Sequence, residues 1–290
     1  MKHMLMPFSS FFLRTAPLFL LFVSSGCGAQ VKKDPPPAKE ILSEERWESY
    51  MATYDNGKPG TVTVRMDLIE ISPIKDFPFV LVSGVDYAMG DSSGLPDKMV
   101  LETLYEHSDA LIQFVTTEFK AIYVGSFMHN GRRVEYFYLS SDKGVETSVT
   151  NFWDARKVVN PYIKTAEDKS WEYYKKFLYP NEDTQNYMGD EKVVFNLREA
   201  GDKLTEPRRV DHWAYFKSEQ DMKRFRNEVV KLGYKVEKTQ QNKKANDFIV
   251  QFWNNAKVDL ETIHPVTSAL RKLAAKHNGE YDGWETFVVK

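Results

Sequence analysis

Apolar positions along the chain alternate in short runs, give way to runs of helical period, and repeat that succession in the second half. Trp47 to Tyr54, Thr61 to Leu68 and Phe77 to Ala88 read as strands, with a turn at Asp55-Asn56-Gly57. After Pro96 the period changes, and Leu101, Leu104, Leu111 and Val115 fall on one helical stripe. Ala121 to Met128 and Arg132 to Leu139 flank Asn130-Gly131, a pair suited to the positive φ angles of a tight hairpin. A helix around Lys143 to Arg156 and a strand at Val158 to Lys164 close this half. From Phe77 the order is thus β-α-β-β-α-β.

The second half repeats it. Val210 to Phe216 alternates as a strand, and Ser218-Glu219-Gln220-Asp221 opens a helix in the manner of a capping box. Met222, Phe225, Val229 and Leu232 form its apolar stripe, and Gly233 ends it. Tyr234 to Thr239 and Asp247 to Trp253 form a hairpin, Asp259 to His277 a second helix, and Trp284 to Val289 a last strand. The pattern predicts an α+β protein of two ferredoxin-like (split βαβ) domains, at 44–165 and 209–290. Between them, 166–208 carries Trp171, Tyr174 and Leu178 and reads as a helical, aromatic connector that packs the domains together.

Composition narrows the function. The 290 residues are 42% hydrophobic and 14% aromatic, enough to build real cores, which excludes a disordered chain. With 39 Lys+Arg against 41 Asp+Glu, the net charge of −2 argues against binding nucleic acid through bulk positive charge. The chain has one cysteine, so no disulfide framework can form within it. That cysteine, Cys27, directly follows the apolar run Ala16 to Val23 and Ser24-Ser25-Gly26, and only Lys2 and Arg14 are formally charged before Lys32. Eight apolar residues are too few to span a bilayer, which takes roughly 20. A basic start, a short apolar core and small residues predict a secretory signal over 1–26. The segment resembles a bacterial lipoprotein signal, although Ser24 stands where that pattern prefers Leu. The resemblance implies cleavage before Cys27, acylation of its thiol and new N-terminus, and export to a cell-envelope membrane. Residues 27–43, with Pro35-Pro36-Pro37, then form a stiff tether.

Two further resemblances bear on function. Val210-Asp211-His212-Trp213-Ala214-Tyr215-Phe216 and the stretch Asn278 to Thr286 resemble the family of regulators of ribonuclease E activity B. That resemblance implies a small ferredoxin-like domain that binds and inhibits without catalysis. Residues 44–165, with Trp47, Gly94-Leu95-Pro96 and Val124 to Tyr138, are similar to the domain of unknown function numbered 695, a family without an established activity, so the similarity implies a fold and little more. Export would separate this chain from a cytoplasmic ribonuclease, so the binding fold carries over and the partner does not.

Candidate chemistry is sparse. Gly90-Asp91-Ser92-Ser93-Gly94 matches the G-x-S-x-G of hydrolase elbows, yet Leu95-Pro96-Asp97 separate it from the helix, so Ser92 reads as a turn residue. His212 lies in phase with the inward positions Val210, Ala214 and Phe216. It or Asp211 could pair with Glu280 or Asp282 if the first and last strands of the domain are neighbours. Asn278 to Trp284 reads as a helix stop and an Asp-Gly turn, with Trp284 inward and Glu280, Tyr281 and Asp282 facing solvent. No metal, cofactor or nucleic acid is expected. The sequence points to a non-catalytic, tethered protein-binding or regulatory lipoprotein with an unidentified envelope partner. Asp211, His212, Glu280, Tyr281, Asp282 and Trp284 are its candidate binding residues. The alternatives are a hydrolase, using Ser92 or the Asp211, His212, Glu280 and Asp282 cluster, and a structural envelope component.

Overall fold

The structure is a computed structural model that describes residues 45–54, 56–242 and 247–290; the signal, Cys27 and the tether lie outside them. The chain divides between Asn181 and Glu182 into two compact units. It is mixed α+β, with one antiparallel sheet in each unit.

The first unit contains β1 (Trp47–Thr53), β2 (Pro59–Arg65), β3 (Phe79–Asp86), α1 (Lys98–Glu118), β4 (Ala121–His129), β5 (Arg132–Leu139), α2 (Val145–Ala155) and β6 (Tyr162–Glu167). Its six strands lie in the order β1-β2-β4-β5-β3-β6. Asp97 caps α1, its carboxylate accepting from the Val100 amide at 2.9 Å. Asn130 and Gly131 take φ of 48° and 82°, as the hairpin required. The strand expected from Val158 starts instead at Tyr162, because Lys157 and Asn160 turn through positive φ and Pro161 follows.

This sheet is covered on both faces. Leu81 and Val85 of β3 pack with Leu104, Leu111 and Val115 of α1 and with Val149, Phe152 and Trp153 of α2. The alternate residues Val80 and Val82 point the other way, to Leu68, Trp171, Tyr174 and Leu178. Trp171 stacks on Tyr138 with ring centres 3.9 Å apart and donates its indole N–H to the Phe77 carbonyl at 2.9 Å. Asp168 holds this segment by accepting from the Glu172 and Tyr173 amides and the Tyr138 hydroxyl. The segment read as a connector therefore divides: its aromatic first part fills the second core of the first unit, and the rest begins the other unit.

The second unit contains α3 (Glu182–Glu199), β7 (Arg208–Phe216), α4 (Glu219–Lys231), β8 (Lys235–Asn242), β9 (Asp247–Ala256), α5 (Leu260–Lys276) and β10 (Gly279–Thr286), with strand order β10-β7-β9-β8. The block β3-α1-β4-β5-α2-β6 of the first unit has the same succession and the corresponding order, extended by the β1-β2 hairpin alongside β4. Ser218 caps α4 as predicted, accepting from the Asp221 amide at 3.1 Å and donating to its carboxylate at 2.8 Å. α4 and α5 cover one face of the sheet through Phe225, Val229, Leu270 and Ala274, against Ala214, Phe216, Val250 and Phe252. α3 packs on α5.

Candidate functional site

The last strand decides where the candidate residues point. It was expected from Trp284, after an Asp-Gly turn; instead pairing with β7 begins at Gly279 and continues through a register shift between Tyr281 and Gly283. Asp282 is the extra residue of a β-bulge, and a bulge lets residues three apart share a face. Tyr281 pairs with Ala214 and Trp284 with His212, so both point to the helices. Tyr281 is only 6% exposed, which corrects its expected solvent position. Gly279 is required where it stands, since a Cβ there would lie 2.1 Å from the Phe216 ring.

β7 and β10 are neighbours, but His212 meets a phenol and no carboxylate. His212 is fully buried, its Nδ1 hydrogen-bonded to the Tyr281 hydroxyl at 2.8 Å and its ring stacked on Phe252. Its Nε2 and the Oδ1 of Asn254 lack partners of ordinary hydrogen-bond geometry. Burial pulls the imidazole pKa down to about 4, outweighing Asp211 and Asn254, which act the other way. Burial likewise pushes the Tyr281 hydroxyl well above its ordinary range. These groups form an inward polar contact among aromatic rings.

Trp284 donates its indole N–H to Asp190 of α3 at 2.9 Å. Asp190 is 1% exposed and also accepts from Thr267 and from His264 Nδ1 of α5, at 2.5 and 2.9 Å. Asp190, Thr267 and His264, absent from the sequence reading, thus join α3 to the sheet and to α5. A single buried carboxylate gathering three donors was not legible without the helix packing.

The remaining candidates lie on or beside the opposite face. Asp211 pairs with Arg209 at 2.7 Å, while Glu280, Asp282 and Glu285 are exposed. No helix of the second unit covers this face among the described residues, in contrast to the twice-covered sheet of the first unit. It presents Trp213 and Tyr215, which alternate with the buried positions of β7, and Trp253 of β9. These three aromatics were not among the candidate binding residues, although their phase opposite Val210, His212 and Ala214 was the available signal. Trp213, Tyr215, Asp282, Gly283, Trp284 and Glu285 line an open hollow of about 390 Å³.

The first unit holds a different polar cluster. Glu135, 1% exposed, accepts from Ser108 at 2.5 Å, Tyr123 at 2.6 Å and Arg133 Nε at 2.9 Å, beside a cavity of about 10 Å³, the size of one water. With its oxygens occupied, this carboxylate serves as an internal tie between α1 and the sheet. Ser92 lies elsewhere, in an exposed loop shaped by Asp91, which accepts from the Ser93 amide at 2.8 Å. Among the described residues no three His, Cys, Asp or Glu side chains gather as metal ligands.

The second unit carries the more informative likeness. Residues 188–286 match the family model described as regulator of ribonuclease activity B. Residues 45–179 match a family of unknown function, DUF695. The two matches correspond to the two units and to the two resemblances read from the sequence. No curated protein matches the chain.

Proposed function

We propose that this protein is a membrane-tethered envelope lipoprotein whose second unit binds a protein partner without catalysis, through the uncovered face of its sheet. The observation that carries the reading is a sheet face that no helix of the second unit covers among the described residues, with partly exposed Trp213, Tyr215 and Trp253 on four paired strands. The match to regulators of ribonuclease activity supports a regulatory binding role. The shared strand order supports a ferredoxin-like assignment for both units. The signal-like start and Cys27 support the tether. That anchorage, on the far side of a membrane from a cytoplasmic ribonuclease, argues for an unidentified envelope protein as partner.

A photocrosslinker at Gln251, on the bare face, should yield a protein adduct in the native membrane, whereas one at Lys223, exposed on α4, should not. Loss of the Gln251 adduct, or equal adducts from both positions, would sink the binding reading. Cys27→Ser should release the protein from the membrane, and mass spectrometry should find acyl chains on the wild type alone. A variant that remains membrane-bound, beside an unacylated wild type, would remove the tether.

A further inference from the structure

The first unit covers the second face of its own sheet with its own chain. On the side away from the helices, β3 and β5 pair Val80 with Tyr138 and Val82 with Tyr136. Residues 168–179 lie against this side. Trp171 is fully buried there, as are Tyr174 and Leu178, three and seven positions after it and within a helical turn over Tyr173–Leu178. Trp171 stacks on Tyr138, and Phe177 meets the Phe127 ring edge-on with centres 5.0 Å apart. In the second unit the corresponding strands, β7 and β9, pair Asp211 with Trp253 and Trp213 with Gln251 on the corresponding side.

The polar groups of that side are bonded to one another. Asp211 accepts from Arg209 at 2.7 and 2.8 Å and from Gln251 at 3.4 Å, and Glu237 accepts the Trp253 indole N–H at 3.1 Å. A cover can therefore leave these bonds intact while it gains the apolar area of two half-buried indoles, Trp213 and Trp253. Dimensions select the occupant. The four strands, about 4.8 Å apart and about eight residues long, offer a footprint of roughly 500 Å², below the roughly 800 Å² that each partner gives to a standard interface. A second copy laid face to face falls short of that standard, whereas one short helix about 10 Å across fits within the width of the sheet and suits a small, half-polar, transient interface. We infer that the side of the second sheet carrying Trp213, Gln251 and Trp253 receives a short helical segment of the partner protein, led by a Trp and with further aromatics at helical spacing, in the way that residues 168–179 cover the first sheet. This rests on the proposed binding role of that face and adds the chemistry of what it binds.

The probe is a blocked peptide copying residues 168–180, titrated into the full chain carrying ¹⁵N-labelled indoles, with signals assigned through Trp213→Phe, Trp253→Phe and Trp171→Phe. The Trp213 and Trp253 indole signals should move in a saturable way, while that of Trp171, already seated on the first sheet, stays in place. A peptide with Ala at the places of Trp171 and Tyr174 should move nothing. Gln251→Arg, which sets a charge in the middle of the side, and independently Trp213→Ser, should each weaken the peptide about tenfold without lowering the melting temperature. An unmoved Trp213, a peptide that shifts Trp171 alone by displacing its own copy, or binding undiminished in both variants would overturn the inference. So would Trp213 shifts that follow protein concentration without peptide, which make the occupant a second copy. In native membranes, saturating peptide should abolish the Gln251 adduct. An adduct that forms but resists the peptide would leave the binding role standing and remove this chemistry. No adduct at all would strike the binding role, and the Trp213 titration would still read whether the surface takes such a segment.

Discussion

Tyr281 and Trp284 are three residues apart in one strand and point to the same side of the sheet, because Asp282 bulges out between them. Each then reaches a buried polar group, Tyr281 the imidazole of His212 and Trp284 the carboxylate of Asp190. Truncating either to Ala should therefore destabilise the second unit by about 3 to 5 kcal/mol. Tyr281→Phe should cost about 1 to 2 kcal/mol, by leaving His212 Nδ1 without its partner. Thermal or urea melts decide this, and a Tyr281→Ala variant that melts like wild type would mean that the ring is not packed as described.

Deleting Asp282 should be far more damaging than replacing it. Without the bulge, residues beyond Tyr281 would exchange faces, turning Trp284 away from Asp190. Asp282→Ala should stay within about 0.5 kcal/mol of wild type, since the side chain is exposed. Near-equal stability of the deletion and the substitution would contradict the assigned register.

Acid should weaken the fold through His212. Its folded pKa of about 4 lies below the ordinary 6.5, so the unfolded chain binds the extra proton first. The neutral, buried imidazole keeps its full contribution above pH 6.5, and the loss accumulates as pH falls towards 4, reaching roughly 3 kcal/mol. Denaturant unfolding of wild type and His212→Asn across this range should give curves that converge as the pH drops. Parallel curves would show that His212 does not titrate differently in the two states.

Two small residues in the first unit should differ in their tolerance of substitution. A Cβ on Gly84 would lie 2.0 Å from the Arg133 carbonyl oxygen, so Gly84→Ala should force β3 and β5 apart and lower the melting temperature. Ser92→Ala should leave both stability and membrane phenotype unchanged, because the loop geometry comes from Asp91 and the neighbouring glycines. A folded Ser92→Ala variant with altered phenotype would reopen the hydrolase alternative.

Local signals carried most of the framework. Asn130-Gly131, Ser218 with Asp221, and the stripe of α1 each depend on residues a few positions apart, and each formed as read. Failures arose where the outcome depended on distant chain. Reading Asp282-Gly283 as a turn gave Trp284 the right face and Tyr281 the wrong one, since the bulge that replaces that turn is visible only in pairing with β7. The aromatic run at Trp171 read as an interdomain filler, because its true cover, the β3-β5 face with Tyr138, lies more than thirty residues upstream. Asp190, Thr267 and His264 are unremarkable in sequence and acquire meaning only when α3 lies on α5.

The β1-β2 hairpin gives the first sheet a flank that the second lacks: β2 occupies the side of β4, whereas the corresponding strand β8 ends its sheet with its outer main-chain groups open. An open flank of this kind invites the same strand from a neighbouring copy. β8 carries Lys235, Glu237 and Lys238 over a largely solvent-exposed length, and stacking two such strands in antiparallel or parallel register would bury several charges at once. The added hairpin thus moves the open edge of the first sheet out to β1, whereas in the second unit the strand at the corresponding place meets solvent directly and carries charges whose loss of hydration would oppose such pairing.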